Sequence, residues 1–447
     1  MNSFHGKKLL ILGDNPESAP LVETANDMGV RTIVTGIHHN SIAKQIAWKA
    51  VDINALDVDA MERLARQEVV DAVMVGVADI LVPSYTALCN RLGLPCYSNM
   101  EASICLSNKS LFKEQLLKVG LPVIPEYRIY DGQIAKYGVA RPSRPCQGRD
   151  ALATSYDIGA DDDSLSFPVV VKPVDSGGGC GISIVENKEG LKTAIEKARA
   201  NSRSGRIQIE KLMTGDVVAC YYTIIDGHVY LSSLEDNYFM KKQGTLCPVT
   251  TGHYYASRYL DNYFERYHGK ICDLLNAIHV KNGILQINAF VVNGEFFFYD
   301  PGYRFQGEAQ HHILNAVNGF DHKKMMVEFA FTGKMFDGDF ATVNDPWLHG
   351  KKCASVWILL KSGTIGKIEG LDDVVQNKWV VYHSQRLFEG DTITDSILGT
   401  EKQVLTRIYL VCDDTTSLND MIRHIRQCVV IKDINGKEMF LDTLDYR

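Results

Sequence analysis

The stretch Phe167–Val185, FPVVVKPVDSGGGCGISIV, decides how this chain is read. Val169, Val170 and Val171 are β-branched and lead straight into Lys172, and Ile182, Ile184 and Val185 resume the strand pattern after Gly177, Gly178, Gly179 and Gly181. Two strands joined by a glycine loop make a flap. Glycines without a Cβ let backbone N–H groups approach an anion closely, and the Lys172 ammonium adds a point charge for the same anion. The pattern points to nucleotide phosphate, with a plain ligand-free hairpin as the other reading. No Gly-Lys-Ser/Thr follows the glycines and a strand comes next, so neither a Walker loop nor a dinucleotide fingerprint fits.

Working outward, 47 Lys and Arg stand against 54 Asp and Glu for a formal charge of −7. Without a basic excess or a basic cluster interleaved with aromatics, a nucleic-acid partner is not expected. The eleven cysteines contain no Cys-x-x-Cys pair and read as reduced core residues of a cytoplasmic protein. The apolar run Leu9–Leu12 is too short for a signal sequence or a span, so no membrane partner is expected.

From Lys7 to about Cys105 the pattern alternates strand and helix. LLILG, RTIVT, a short strand at Val51, AVMVG and PCY alternate with helices near Glu17–Met28, Ile42–Lys49, Val58–Gln67 and Ile80–Leu92. Such βα repeats predict a parallel sheet covered on both faces. A further helix starts at Ser107 or Asn108 and runs to Gly120. Residues 131–165 read as a linker or long excursion. Asp226-Gly227, Asn293-Gly294 and Asn435-Gly436 predict three hairpins, so antiparallel sheet dominates the second half. The expected domains are 1–106, a parallel βα domain; 107–345, with a flap subdomain over roughly 125–215; and 346–447, a small α+β module without obvious chemistry of its own.

Ile207–Met213 is a strand ending in Glu210, Lys211, Leu212 and Met213, a combination suited to an adenine hinge. Gln286 and Asn288 share one face of a strand, and the return after Asn293-Gly294 brings Asp300 close by, so these oxygens form a candidate Mg²⁺ site. Arg304 follows, with Gln306 and Glu308 beyond it. A guanidinium there suits the charge of phosphoryl transfer or a substrate carboxylate, an ion pair with Glu308 being its structural alternative. His253 and Arg258 are further candidates for a carboxylate contact. His311-His312 reads as surface or capping.

The order of these parts resembles the ATP-grasp superfamily of ligases, particularly the carbamoyl phosphate synthetase and biotin carboxylase branch and the carboxylate-amine ligases. The resemblance covers Lys7 to about Val343, and the last module looks like the C-terminal domain of amino-acid ligases of this group. It implies that Lys109 and Lys172 contact ATP phosphates, that Ser176, Gly177, Gly178, Gly179 and Gly181 close over them, and that Glu210, Lys211, Leu212 and Met213 form the hinge. It also implies that Asp216 meets the ribose, that Asp300, Asn288 and Gln286 hold Mg²⁺ or Mn²⁺, and that Arg304 and Glu308 face the substrate, with Arg304 and Lys172 as the catalytic pair. Two positions depart from the family. Asn288 stands where a glutamate is usual, and Asp300-Pro301-Gly302 replaces Glu-x-Asn. The resemblance implies an ATP-dependent ligase that activates a small-molecule carboxylate as an acyl phosphate for attack by an amine or other nucleophile. The alternatives are a catalytically weakened ATP-binding module and a carbamoyl phosphate synthetase-like enzyme acting on bicarbonate. The sequence leaves the oligomeric state open, a homodimer included.

Overall fold

The computed structural model describes residues 4–130, 133–137, 165–174, 181–202, 205–240 and 249–441. The tip of the glycine loop, Ser176–Gly179, and most of the 131–165 excursion lie outside the described residues.

Near the start, four parallel strands lie in the order Lys49–Val51, Arg31–Thr35, Lys8–Leu12, Ala72–Val75. Leu9–Leu12 are fully buried, because helices cover both faces of the sheet and leave no polar side for alternation. Two expectations are corrected here. The helix predicted over 42–49 is a single turn, Ile42–Gln45, since Lys49 already pairs with Ile33 in the sheet. Pro95–Tyr97 forms no strand. Two turns past the sheet's carboxyl edge place charged side chains there: Glu17 in Pro16–Ser18 and Asp79 opening Asp79–Leu81.

Asn108 caps the helix Lys109–Lys118 by accepting from the N–H groups of Ser110 and Leu111 at 3.0 and 3.2 Å. Above it lies an antiparallel sheet in the order Gln133–Tyr137, Glu126–Tyr130, Ile207–Lys211, Val169–Pro173, Ser183–Val185. Val169, Val171, Ile209 and Tyr127 bury one face against the helix Leu191–Ala200. The pairing Lys172↔Gln208 and Glu126↔Glu210 turns those four polar side chains to the other face.

A nine-stranded antiparallel sheet forms the centre, and a small sheet in the order Thr392–Ile393, Gly363–Glu369, Val430–Asp433 belongs to the last module. The path of the nine-stranded sheet runs Glu295–Gly302, Gly283–Val292, Asp216–Ile225, His228–Met240, Val249–Tyr255, Lys352–Leu360, Val404–Cys412, Val380–Gln385. The turns at 226–227 and 293–294 have positive φ at both residues, as tight hairpins need. The third hairpin forms but is short: across the Asn435-Gly436 turn the Asp433 N–H donates to the Lys437 carbonyl and the Met439 N–H to that of Ile431, each at 2.8 Å, and Phe440–Leu441 then leaves it to pair with Leu359 and Leu360. The sheet continues across residue 345, Val249–Tyr255 pairing directly with Lys352–Leu360. Among the described residues no helix is long and apolar enough to cross a membrane, and the eight cysteines are free thiols.

Candidate active site

The polar face of the flap sheet meets the helix Lys109–Lys118 in a sealed charge cluster. Lys113, fully buried, contacts Glu210 and lies 3.3 Å from Glu126, whose other partner is the Gln208 amide at 2.8 Å. Lys172 reaches Glu210 Oε2 at 2.5 Å. Burial, then the ammoniums of Lys109 and Lys113, push Lys172 down to about 7, against the attraction of the neighbouring carboxylates. Glu210 thus turns its side chain inward to two lysines, while Lys211 is exposed and Leu212 and Met213 are half-buried. The Lys211 and Leu212 N–H groups are taken by the carbonyls of Pro125 and Pro168. Among the described residues no backbone carbonyl accepts the Met213 N–H.

Lys109 sits one helical turn before Lys113 and lies 3.2 Å from Asp300 Oδ1. Asp300 is the register partner of Asn288, and the Gln286 amide donates to Asn288 Oδ1 at 3.2 Å, so the three candidate metal ligands are brought together. They line a cavity of about 230 Å³ that also takes in Arg304, Gln306 and Glu308. Arg304 does not pair with Glu308. Its Nη2 donates to Asp79 Oδ2 at 2.9 Å and its Nη1 to Gln306 Oε1 at 2.7 Å. Asp79 keeps 38% of its side chain accessible within the cavity, yet the enclosing protein pushes its carboxyl upward despite Arg304.

Two expected substrate contacts sit elsewhere. Arg258 is half exposed and pairs with Asp216 at 3.0 Å, where Tyr259 also donates to Asp216. His253 is sealed at 1% exposure, and burial holds it down to about 3, so it is a neutral imidazole rather than a cation for a carboxylate. His311, expected at the surface, is buried as well, and His312 stacks on Tyr382.

The chain's likeness to known proteins agrees with this arrangement. The family model described as D-ala D-ala ligase C-terminus matches residues 151–236. The structure of L-amino acid ligase from Bacillus licheniformis superposes with a TM-score of 0.70 at 18% identity, covering 96% of this chain and 99% of that one. Phosphoribosylglycinamide synthetase from Anaerococcus prevotii gives 0.69 at 16%, covering 96% and 100%. The fold is that of the ATP-grasp ligases. In sequence, the formate-dependent phosphoribosylglycinamide formyltransferase of Bacillus velezensis is 24% identical over 220 residues, 47% of this chain and 49% of that protein. Phosphoribosylamine–glycine ligase of Allochromatium vinosum is 26% identical over 238 residues, 52% and 50%. The chain spans about half the length of the curated relatives it matches.

Several side chains of this cavity and of the charge cluster beside it are not singled out by the sequence. Lys113 carries a usable signal, since it follows Lys109 by four residues and lies between Phe112 and Leu116, both buried. Glu17 and Asp79 lie in loops past the ends of parallel strands, the place where open α/β sheets gather ligands. Glu401 and Arg407, which also line the cavity, come from the last module and correct the view that it brings no chemistry. Arg407 Nη2 donates to Glu401 Oε2 at 2.7 Å and its guanidinium stacks 3.6 Å over Trp357.

Proposed function

We propose that the chain is an ATP-dependent ligase that phosphorylates a small carboxylate to an acyl phosphate, which an amine captures with release of ADP and phosphate. One observation carries this reading: Asp300 touches Lys109 on the nucleotide side and lines the cavity that holds Arg304 on the other. Phosphate charge and a carboxylate are thereby drawn to the two sides of a single side chain. Lys172 and Lys109 supply ammonium donors for the triphosphate, and Met213 offers its backbone N–H at the hinge. Arg304 orients the carboxylate and meets the charge that develops during transfer, held in place by Asp79 and Gln306. Asp300, Asn288 and Gln286 present oxygens only, a donor set that fits Mg²⁺. When bound there, Mg²⁺ supplies positive charge to the phosphoryl oxygens. Self-association into a homodimer is part of the same reading and is checked by light scattering.

The test is ADP release by the full chain with pairs of small carboxylates and amines at millimolar Mg²⁺. Release should require both partners and disappear in Lys172→Met and in Arg304→Ala. If no pair stimulates ADP release, the ligase reading falls; stimulation by bicarbonate alone would transfer it to carboxyphosphate chemistry. A second reading, a weakened ATP-binding module, is favoured by Asn288 and Gly302 at the metal hairpin. It requires that Asn288→Glu switch on ATP hydrolysis in a protein otherwise silent.

A further inference from the structure

Where Glu308 lines the cavity it meets two side chains that lie outside it, and the donor atoms of the three come close together. Glu235 comes from His228–Met240, His253 from the neighbouring strand Val249–Tyr255, and Glu308 from the loop beyond Glu295–Gly302. One ligand atom of each lies within 4.8 Å of the other two, and His253 Nε2 is 4.0 Å from Glu308 Oε2. Glu235 and His253 are each 1% exposed, yet both carboxylate oxygens of Glu235, His253 Nε2 and Glu308 Oε2 lack a hydrogen-bond partner of good geometry. The hydroxyl of Tyr255, the register partner of Glu235, lies beside that carboxylate without an aligned hydrogen bond. The cation nearest His253, Arg407, is already engaged with Glu401. Two carboxylates and an imidazole facing one another in a sealed place are unfavourable unless a proton or a cation joins them; burial, then the Glu308 charge, pushes the Glu235 carboxyl up toward holding a proton, which a metal ion would displace.

We infer that Glu235, His253 and Glu308 form a binding site for a divalent transition-metal ion, with zinc(II) the natural occupant and separate from the oxygen-only site at Asp300. The imidazole selects the class: Mg²⁺ and Ca²⁺ prefer oxygens, whereas zinc takes mixed His and carboxylate ligands. Ser355 Oγ lies 2.8 Å from His253 Nδ1 and fixes the ring with Nε2 toward the carboxylates, the outer contact that ligating histidines use. An ion at about 2.1 Å from each donor needs donor separations of roughly 3.4 Å, so the 4.0 Å pair must close by about half an ångström and Glu235, whose donor lies within 4.8 Å of the other two, must follow. Glu308, whose side chain is 33% exposed, has that freedom. A substrate ammonium is the weaker fit, because Glu235 and His253 are closed to a molecule that must come and go. Of the three, Glu308 alone lines the cavity.

The test uses the full chain, stripped with chelator and dialysed against micromolar Zn²⁺ without nucleotide, with bound metal measured by elemental analysis. Wild type should hold one equivalent, unaffected by millimolar Mg²⁺, and Asn288→Ala should hold the same. His253→Ala and Glu308→Gln should each lose at least tenfold in affinity, and Co²⁺ in wild type should give visible absorption bands that shift in Glu308→Gln. Absence of stoichiometric zinc, zinc retained undiminished in a folded variant, or zinc lost in Asn288→Ala overturns the inference. Circular dichroism checks folding, and if His253→Ala does not fold, the cavity-facing Glu308→Gln decides. Because no ATP is present, the outcome is independent of the ligase reading.

Discussion

Lys172 is held near neutrality by burial and by two neighbouring ammoniums, so its charge at working pH depends on what it faces. A triphosphate arriving at Lys172 favours the charged form and raises its pKa, and binding at pH 8 should therefore take up close to one proton. ATP affinity should fall by about tenfold per pH unit above 7, until the pKa of the bound state is reached. Calorimetry in buffers of different ionisation heat measures the uptake, and Lys172→Met should abolish both effects; uptake that survives this variant assigns the proton elsewhere. Stability moves the opposite way. A lysine whose folded pKa lies below its unfolded 10.5 binds fewer protons when folded, so its contribution to stability rises with pH from about 7 toward 10.5. Lys113 plays a different part, since it touches both Glu210 and Glu126 in a place closed to water. Lys113→Met leaves those carboxylates short of a cation and should destabilise the chain by about 3–5 kcal/mol, read from denaturant unfolding.

The hairpin Gly283–Val292 to Glu295–Gly302 shows what an element can and cannot disclose through its sequence. Its alternation put Gln286 and Asn288 on one face and its Asn293-Gly294 turn brought Asp300 close by, but that turn alone would set Asn288 opposite Tyr299, and a bulge between Asn288 and Ala289 moves it to Asp300. Asp79 at its far end was not legible, because nothing local to residue 79 says that a sheet edge from another layer will meet Arg304. The same limit applies to Glu126, the cross-strand neighbour of Glu210, and to Phe440–Leu441, which leaves the last hairpin for a strand far away in the sequence. Turns are written in a few adjacent residues, whereas sheet partners are chosen by packing among distant ones. The hairpin also carries a prediction. Asn288→Glu places a second carboxylate opposite Asp300, and Mg²⁺-dependent nucleotide binding should tighten roughly tenfold when titrated with the metal. Gly302→Asn should not add to it: a Cβ at 302 would lie 3.0 Å from the Gln306 amide and 3.3 Å from Asp79 Oδ1, the two side chains that hold Arg304.

At the scale of the molecule, three parts of the chain close one cavity. Glu17 and Asp79 come from the parallel sheet, Asp300 to Glu308 from the central sheet, and Glu401 and Arg407 from the last module. Arg386 ties the first to the last, 3.5 Å from Glu17 and 3.6 Å from Glu401, and the Tyr409 hydroxyl donates to the Glu308 carbonyl at 2.7 Å. The last module is thus a wall of the site and a continuation of its sheet. A chain ended at residue 345 would bare the edge of Val249–Tyr255, together with the apolar partners that Val249 finds in Trp357, Leu359 and Val404, and should be insoluble. A point variant separates this structural role from a binding one. Arg407 is buried over Trp357, but its partner Glu401 is half exposed, so Arg407→Met keeps most of the packing and leaves no carboxylate stranded from water. Its thermal midpoint should stay within a few degrees of wild type. If the cavity receives the carboxylate substrate, removing one of its two guanidiniums should raise the KM for that substrate about tenfold with the KM for ATP unchanged, the loss of one charge-assisted contact. An equal rise in both constants would instead mean that Arg407 acts through the shape of the whole cavity, and an unchanged pair would place the substrate on the Arg304 side alone.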